Sequence, residues 1–204
     1  MTIAVTGPYA SGKSTFVQML GDLGAETVSA DEIVHHRLSE DEEAIQRVAE
    51  RFGETVRGGR GIDRKALGRV VFGDPEALRD LEDILHPLVR KETDLRISAS
   101  KAGLFVAEIP LLFEGGRGGA FDCTVAVTAP GERRLAWAAE RGLDEAALQA
   151  IEARQLSGEE KARRADVVVE NGADLVTLRR RAEELLERVS GGRGPGGGRR
   201  NQAE

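Results

Sequence analysis

Residues 7–14 read Gly7-Pro8-Tyr9-Ala10-Ser11-Gly12-Lys13-Ser14, a Gly-x4-Gly-Lys-Ser pattern whose residue types suit the binding of a phosphate. Its glycines let backbone N–H groups converge on an anion. Lys13 is placed to reach β- and γ-phosphates, and the Ser14 hydroxyl is an oxygen ligand for Mg²⁺. A glycine-rich turn could spell the same pattern by chance, so the setting decides. An apolar run, Ile3-Ala4-Val5, precedes the loop, and Phe16, Met19, Leu20 and Leu23 follow it on one helical face. Strand, loop, helix is the required context, because the helix N-terminus adds its dipole to the loop amides.

Other candidates are single residues. Asp31 follows a second apolar segment, and a carboxylate there could orient or deprotonate an acceptor hydroxyl or hold a metal-bound water. Equally, Ser29-Ala30-Asp31-Glu32 spells a capping box. Glu108 closes a third apolar segment, Leu104–Ile109, and is either a second site carboxylate or an ordinary strand ending; Pro110 stops that segment and turns the chain. Arg141 belongs to a basic stretch with Arg154, Lys161, Arg163 and Arg164, and a guanidinium there could close over a transferring phosphoryl group. Most such arginines are solvated surface. His35, His36 and His86 have no metal-ligand spacing with Cys123. Trp137 reads as core or lid packing ahead of a stacking platform.

The elements that would position these groups alternate. Strands are expected at Ile3–Thr6, Thr27–Ser29, Leu104–Ile109, Cys123–Val127 and Asp166–Val169, and the Val-rich ones suit burial on both faces of a parallel sheet. Helices are expected from Gly12 to about Asp22, from Asp31, from Pro130 to Arg141, and from about Leu175 to Val189. The alternation specifies an α/β fold with crossover helices. Residues 32–103 break it, with no convincing strand and with helical patterns that include Pro75 to about Ser100 around His86-Pro87. A shorter break covers 137–163. Both leave the sheet after a strand's carboxyl end, where α/β proteins bind ligands. A nucleotide site with two insertions at its rim suggests a kinase with an acceptor domain and a lid.

Composition bounds the partners. The chain has 204 residues, 40% hydrophobic, with net charge −6, which argues against nucleic acid. One cysteine, Cys123, permits no intrachain disulfide. The N-terminus opens into the first strand without room for a signal peptide, and no apolar run has the length of a membrane span. A soluble, cytoplasmic protein is the expectation. From Ser190 the chain reads SGGRGPGGGRRNQAE, too glycine-rich to repay its ordering entropy, and residues 190–204 are expected to form a disordered Gly/Arg tail.

Several separated motifs agree with one family. The phosphate loop, Ala30-Asp31-Glu32-Ile33, Ile62-Asp63-Arg64 with Val71-Phe72, Leu81-Glu82-Asp83-Ile84-Leu85-His86-Pro87, and Ile109-Pro110-Leu111-Leu112-Phe113-Glu114 resemble the dephospho-CoA kinases. Gln155, Lys161, Ala165-Asp166 and Asn171 are similar too, so the match runs in order over about residues 1–180. The resemblance implies ATP-dependent phosphorylation of the ribose 3′-hydroxyl of dephospho-CoA, giving CoA and ADP in the last step of coenzyme A biosynthesis. It implies a P-loop kinase of three layers. Its five-stranded parallel core would be 1–31, 104–136 and 164–189, with a helical acceptor insertion at 32–103 and a helical lid at 137–163.

Carried over residue by residue, the ATP-phosphate loop falls on Ala10, Ser11, Gly12, Lys13, Ser14 and Thr15, with Ser14 toward Mg²⁺. Lys13, Asp31 and Arg141 take the catalytic roles, and Asp31, Arg64, His86 and Pro110 face the acceptor. The implied partners are dephospho-CoA and ATP, without nucleic acid or membrane, for a monomer or weak homo-oligomer. The sequence departs from the family pattern at Pro8 and Ala10, which replace glycines, at Ser29 and Glu108, where the family has aspartates, and at Trp137, which replaces a lid arginine. If Ala10 adopts positive φ it costs about 1 kcal/mol. The nearest alternative is a kinase for another acceptor, such as a nucleoside monophosphate. A switch or motor ATPase is disfavoured because no Asn-Lys-x-Asp signature occurs and the apolar run after Leu156-Ser157-Gly158 ends in Val169-Glu170-Asn171. A non-catalytic nucleotide-binding module would bind ATP but release no ADP.

Overall fold

The computed structural model describes residues 1–71 and 73–191; Phe72 and the expected tail from 192 onward lie outside the described residues. In chain order the strands are β1 (Thr2–Thr6), β2 (Glu26–Ser29), β3 (Arg57–Gly58), β4 (Gly61–Ile62), β5 (Phe105–Glu108), β6 (Cys123–Thr128) and β7 (Val167–Glu170). The helices are α1 (Lys13–Asp22), α2 (Ala30–Glu40), α3 (Glu42–Phe52), α4 (Arg64–Val71), α5 (Pro75–Ala99), α6 (Gly131–Glu140), α7 (Glu145–Glu152), α8 (Gly158–Arg164) and α9 (Leu175–Ser190). The chain divides into two compact units, Ala30–Ala99 and the remainder.

The larger unit is built on a parallel sheet in the order β2-β5-β1-β6-β7. From central β1 the chain goes to one side for β2 and β5, then to the other for β6 and β7. The carboxyl ends at β1 therefore form the switch point where such sheets bind ligands. Ile3 and Val5 of β1, Val106 of β5, and Cys123, Val125 and Val127 of β6 share a core with Phe16, Val17 and Leu20 of α1 and Leu178, Ala182 and Leu185 of α9. The strand residues recur with period two and the helix residues with period three to four, as burial of one face requires. Each such side chain stabilises by about 1.5–3 kcal/mol on burial. Ala4, Ala107 and Ala126, also fully buried, alternate with these along the strands, and α8 packs against β6.

The smaller unit, Ala30–Ala99, has its own core, including Leu38, Ile45, Val48, Phe52, Val56, Ile62, Leu67, Leu81 and Leu85. The α3 helix buries Ala44, Ile45, Val48, Ala49 and Phe52, starts on an Asp41 carboxylate that accepts from Ala44 N at 3.2 Å, and ends at Gly53. Arg37 of α2 donates to Asp41 and, at 2.7 Å, to Glu92 of α5, tying helices α2 and α5.

Four expectations can be set against these elements, two of them corrected. Residues 32–103 do contain strand: β3 and β4 form an antiparallel hairpin. The 136/137 boundary falls within α6, Gly131–Glu140. Ser190 ends α9 and is not tail. The helical pattern expected from Pro75 to about Ser100 around His86-Pro87 is present: α5 continues through Pro87 to Ala99.

Candidate functional site

The phosphate loop leaves β1 through two glycines at positive φ, where a side chain would be strained. Gly7 has φ 147°, and a Cβ there would lie 2.1 Å from the Val127 carbonyl oxygen. Gly12, at φ 87°, precedes α1, and its Cβ would meet Asn171 Nδ2 at 2.2 Å. No side chain caps α1 and no acidic residue occupies its first turn, so the positive end of the helix is left for an anion. Lys13 is buried, with Nζ 3.0 Å from the Pro8 carbonyl oxygen of its own loop. Ser14 is exposed and donates to Glu108 Oε1 at 2.8 Å. Glu108 itself is buried at the end of β5, in register with Val5 and Ser29. Ser11 is fully buried, and its Oγ makes no hydrogen bond among the described residues.

Ala10 adopts φ 56°, the strained left-handed conformation its position threatened. Its methyl is not idle. Ala10 is buried with Ala138 of α6 and Leu148 of α7, and Tyr9, Leu135, Trp137 and Leu143 pack around them. The loop is thus anchored to the helices after β6 by apolar contact. Asn171 anchors it from the other side: its N–H donates to Thr128 O at 2.6 Å and its Nδ2 to Ser11 O at 3.1 Å.

Among the basic residues, most have structural duties. Arg134 pairs with Glu152 across α6 and α7, and Arg163 and Arg164 both pair with Glu160. Arg141, at the end of α6, is exposed and holds its guanidinium 5.9 Å from the Tyr9 ring centroid. It lines a cavity of about 500 Å³ with Gly12, Thr15, Trp137, Asn171 and Leu175. A cavity of that size, with an anion-binding helix end in one wall, suits a nucleotide.

The model of the dephospho-CoA kinase family matches residues 1–177. The chain belongs to the dephospho-CoA kinase family. A dephospho-CoA kinase of Anaeromyxobacter dehalogenans is 41% identical over 197 residues, 94% of this chain and 93% of that protein. A crystal structure from Thermus thermophilus superposes with TM-score 0.78 at 38% identity, covering 93% of this chain and 97% of the other. The dephospho-CoA kinase from Campylobacter jejuni gives 0.66 at 30%, covering 94% and 98%. The P-loop kinase fold follows with the family.

In this family member the larger unit brings together Ala10, Gly12, Thr15 and Arg141 around one cavity, with Lys13 and Ser14 on the same loop and helix start. Pro110 lies just past β5, and its carbonyl oxygen accepts from Thr6 Oγ1 at 3.0 Å and Lys161 Nζ at 2.6 Å. In the smaller unit Asp31 is exposed in the first turn of α2, and its carboxylate makes no hydrogen bond among the described residues. Arg64 is exposed at the start of α4, behind the capping Asp63, whose carboxylate accepts from Lys65 N and Ala66 N and is held below its ordinary pKa by those N–H groups. His86 is half-buried within α5.

Residue reasoning from spacing grouped Lys161 with the basic lid residues, and the structure gives it another role. It is wholly buried, donating to Pro110 O, to Gln155 Oε1 at 3.2 Å and pairing with Glu114 at 3.1 Å. Burial pulls its pKa down, opposed by the Glu114 charge. Glu114 also accepts from Leu156 N at 2.8 Å, so this one ammonium fastens α8 to the segment after β5. Nothing in local sequence separates such a lysine from a solvated one.

Proposed function

We infer that this protein transfers the γ-phosphoryl group of ATP to the ribose 3′-hydroxyl of dephospho-CoA, forming CoA and ADP, the last step of coenzyme A biosynthesis. The observation that carries the reading is the phosphate loop in its complete setting within a family-wide match. Lys13, buried at the foot of the loop, supplies positive charge to the β- and γ-phosphates, and the loop amides and the α1 N-terminus share the remaining charge. Asp31 follows the end of β2 by two residues and is unengaged, which suits orienting the acceptor hydroxyl and accepting its proton. Arg141 neutralises charge that develops on the transferring group. Arg64, His86 and Pro110 contribute to acceptor binding. The reaction needs little covalent help from the protein, so positioning and electrostatics supply the rate.

A divalent cation fits the donor set. An exposed hydroxyl, Ser14, lies within hydrogen-bond distance of a buried carboxylate, Glu108, and both offer hard oxygens. No cluster of three or more His, Cys, Asp or Glu suited to a metal occurs among the described residues. Ser14 and Glu108 would therefore hold Mg²⁺ jointly with phosphate oxygens and water. Held there, Mg²⁺ would supply positive charge to offset that of the phosphates.

The test is transfer itself. Incubation with ATP labelled at the γ-phosphate and dephospho-CoA should give labelled CoA and an equal amount of ADP. ADP release without labelled CoA would make the chain an ATPase, and tight ATP binding without ADP release would leave only a binding module. Lys13→Ala should lower kcat by at least about a hundredfold while leaving thermal stability near normal, because the ammonium acts on developing phosphate charge.

A further inference from the structure

The cavity beside the phosphate loop has one feature that the transfer chemistry does not use. Trp137 and Arg141 are four residues apart at the end of α6 and so share one helix face, and both line the cavity. Trp137 is half-buried: part of its surface packs against the Ala10, Ala138 and Leu148 cluster, and the rest borders the cavity. The cavity wall combines Gly12 and Thr15 at the start of α1 and the polar Glu140, Asn171 and Asp174 with the apolar surface of the indole, Ala10, Ala173 and Leu175. Leu175 is 64% exposed and, with its neighbour Val176 also exposed, offers apolar surface beside the cavity. The turn carrying Leu175 is held in place. Arg133 donates to Ala173 O at 2.6 Å, the Asp174 carboxylate accepts from Thr177 N at 2.8 Å, and Asn171 is bonded to both Thr128 and Ser11. Anion-binding amides joined to an anchored aromatic face and a fixed apolar turn are the parts needed for a phosphate attached to a flat, π-rich ring.

We propose that Trp137 is the stacking platform for the purine ring of the nucleotide whose phosphates the loop holds. The proposal rests on the nucleotide reading above and deepens it. Indole offers a broad π face without charge, and its packing against Ala10 ties the base platform to the phosphate loop, so one fixed surface serves both ends of the ligand. The family pattern has an arginine at this position; here the contact is carried by the indole face and its apolar area.

Trp137 is the only tryptophan in the chain, so its emission reports this site alone. The full-length protein, excited at the red edge of indole absorption, is titrated with Mg-ADP while calorimetry follows the same binding. A saturable change in emission with the calorimetric Kd is expected. Trp137→Ala should raise KM for ATP by about tenfold and leave KM for dephospho-CoA within about twofold, and Trp137→Phe should recover most of the loss because a ring remains. A purely structural tryptophan would move both KM values together and lower the melting temperature of the Ala variant. Calorimetric ADP binding with unmoved emission, or a rise confined to the dephospho-CoA KM, overturns the platform and leaves the nucleotide site standing. Absence of calorimetric ADP binding to the wild-type protein overturns both.

Discussion

At the scale of single residues, the loop shows how a strained position is tolerated. Ala10 holds a left-handed φ of 56°, which costs about 1–2 kcal/mol for a residue with a Cβ. Glycine would remove that cost but lose about 0.5–1 kcal/mol to backbone entropy and about 0.8 kcal/mol of buried methyl. The terms nearly cancel, so Ala10→Gly should change unfolding free energy by less than about 1 kcal/mol in chemical denaturation; a larger gain would mean the buried methyl contributes nothing. The sequence revealed the departure from glycine but not the apolar pocket that receives the methyl, because its other walls come from α6 and α7. Asp31 had two readings that spacing left equal. Its carboxylate is exposed in the first turn of α2 and makes no hydrogen bond among the described residues. Asp31→Asn should lower kcat by at least about a hundredfold with KM for ATP within about twofold; loss of thermal stability at unchanged kcat would restore the capping reading.

At the scale of elements, what could be read were the long periodic segments. All five sheet strands and the helices after them follow from Val-rich runs and from three-to-four spacing, and their ends shift by a residue or two. The β3–β4 hairpin escaped because two-residue strands carry no alternation, whereas α5 is legible through Pro87 in the helical pattern from Pro75 to about Ser100. The α2–α5 tie was also invisible, since Arg37 and Glu92 are far apart in sequence. It has a pH consequence. Burial pushes the Asp41 carboxyl up, but the Arg37 guanidinium and the Ala44 N–H outweigh it and the net shift is downward; Glu92 is lowered by Arg96 first, against burial, and also by Arg37. A carboxylate with a depressed folded pKa contributes stability above its unfolded pKa and loses it as pH falls through the folded value. Melting temperature should therefore fall between about pH 5 and about pH 3, and Arg37→Ala should both cost about 1–2 kcal/mol at neutral pH and flatten that acid slope. An unchanged slope in the variant would remove Arg37 as the cause.

At the scale of the whole molecule, a nucleotide-binding unit carries a second unit, Ala30–Ala99, with a separate hydrophobic core, inserted directly after β2. Such an insertion is far more than a strand connection needs, whereas dephospho-CoA presents an adenosine, a pyrophosphate and a long pantetheine arm that require surface. Arg64 and His86, both drawn from family motifs, belong to this unit. A net charge of −6 offers no general attraction for an anionic acceptor. The central claim is that the acceptor is dephospho-CoA, and the direct measurement is kcat/KM by coupled ADP release with dephospho-CoA, AMP and adenosine as competing acceptors. Dephospho-CoA should exceed the other two by at least about a hundredfold, equivalent to about 2.7 kcal/mol of differential transition-state binding. A kcat/KM for AMP or adenosine equal to or above that for dephospho-CoA would contradict the account.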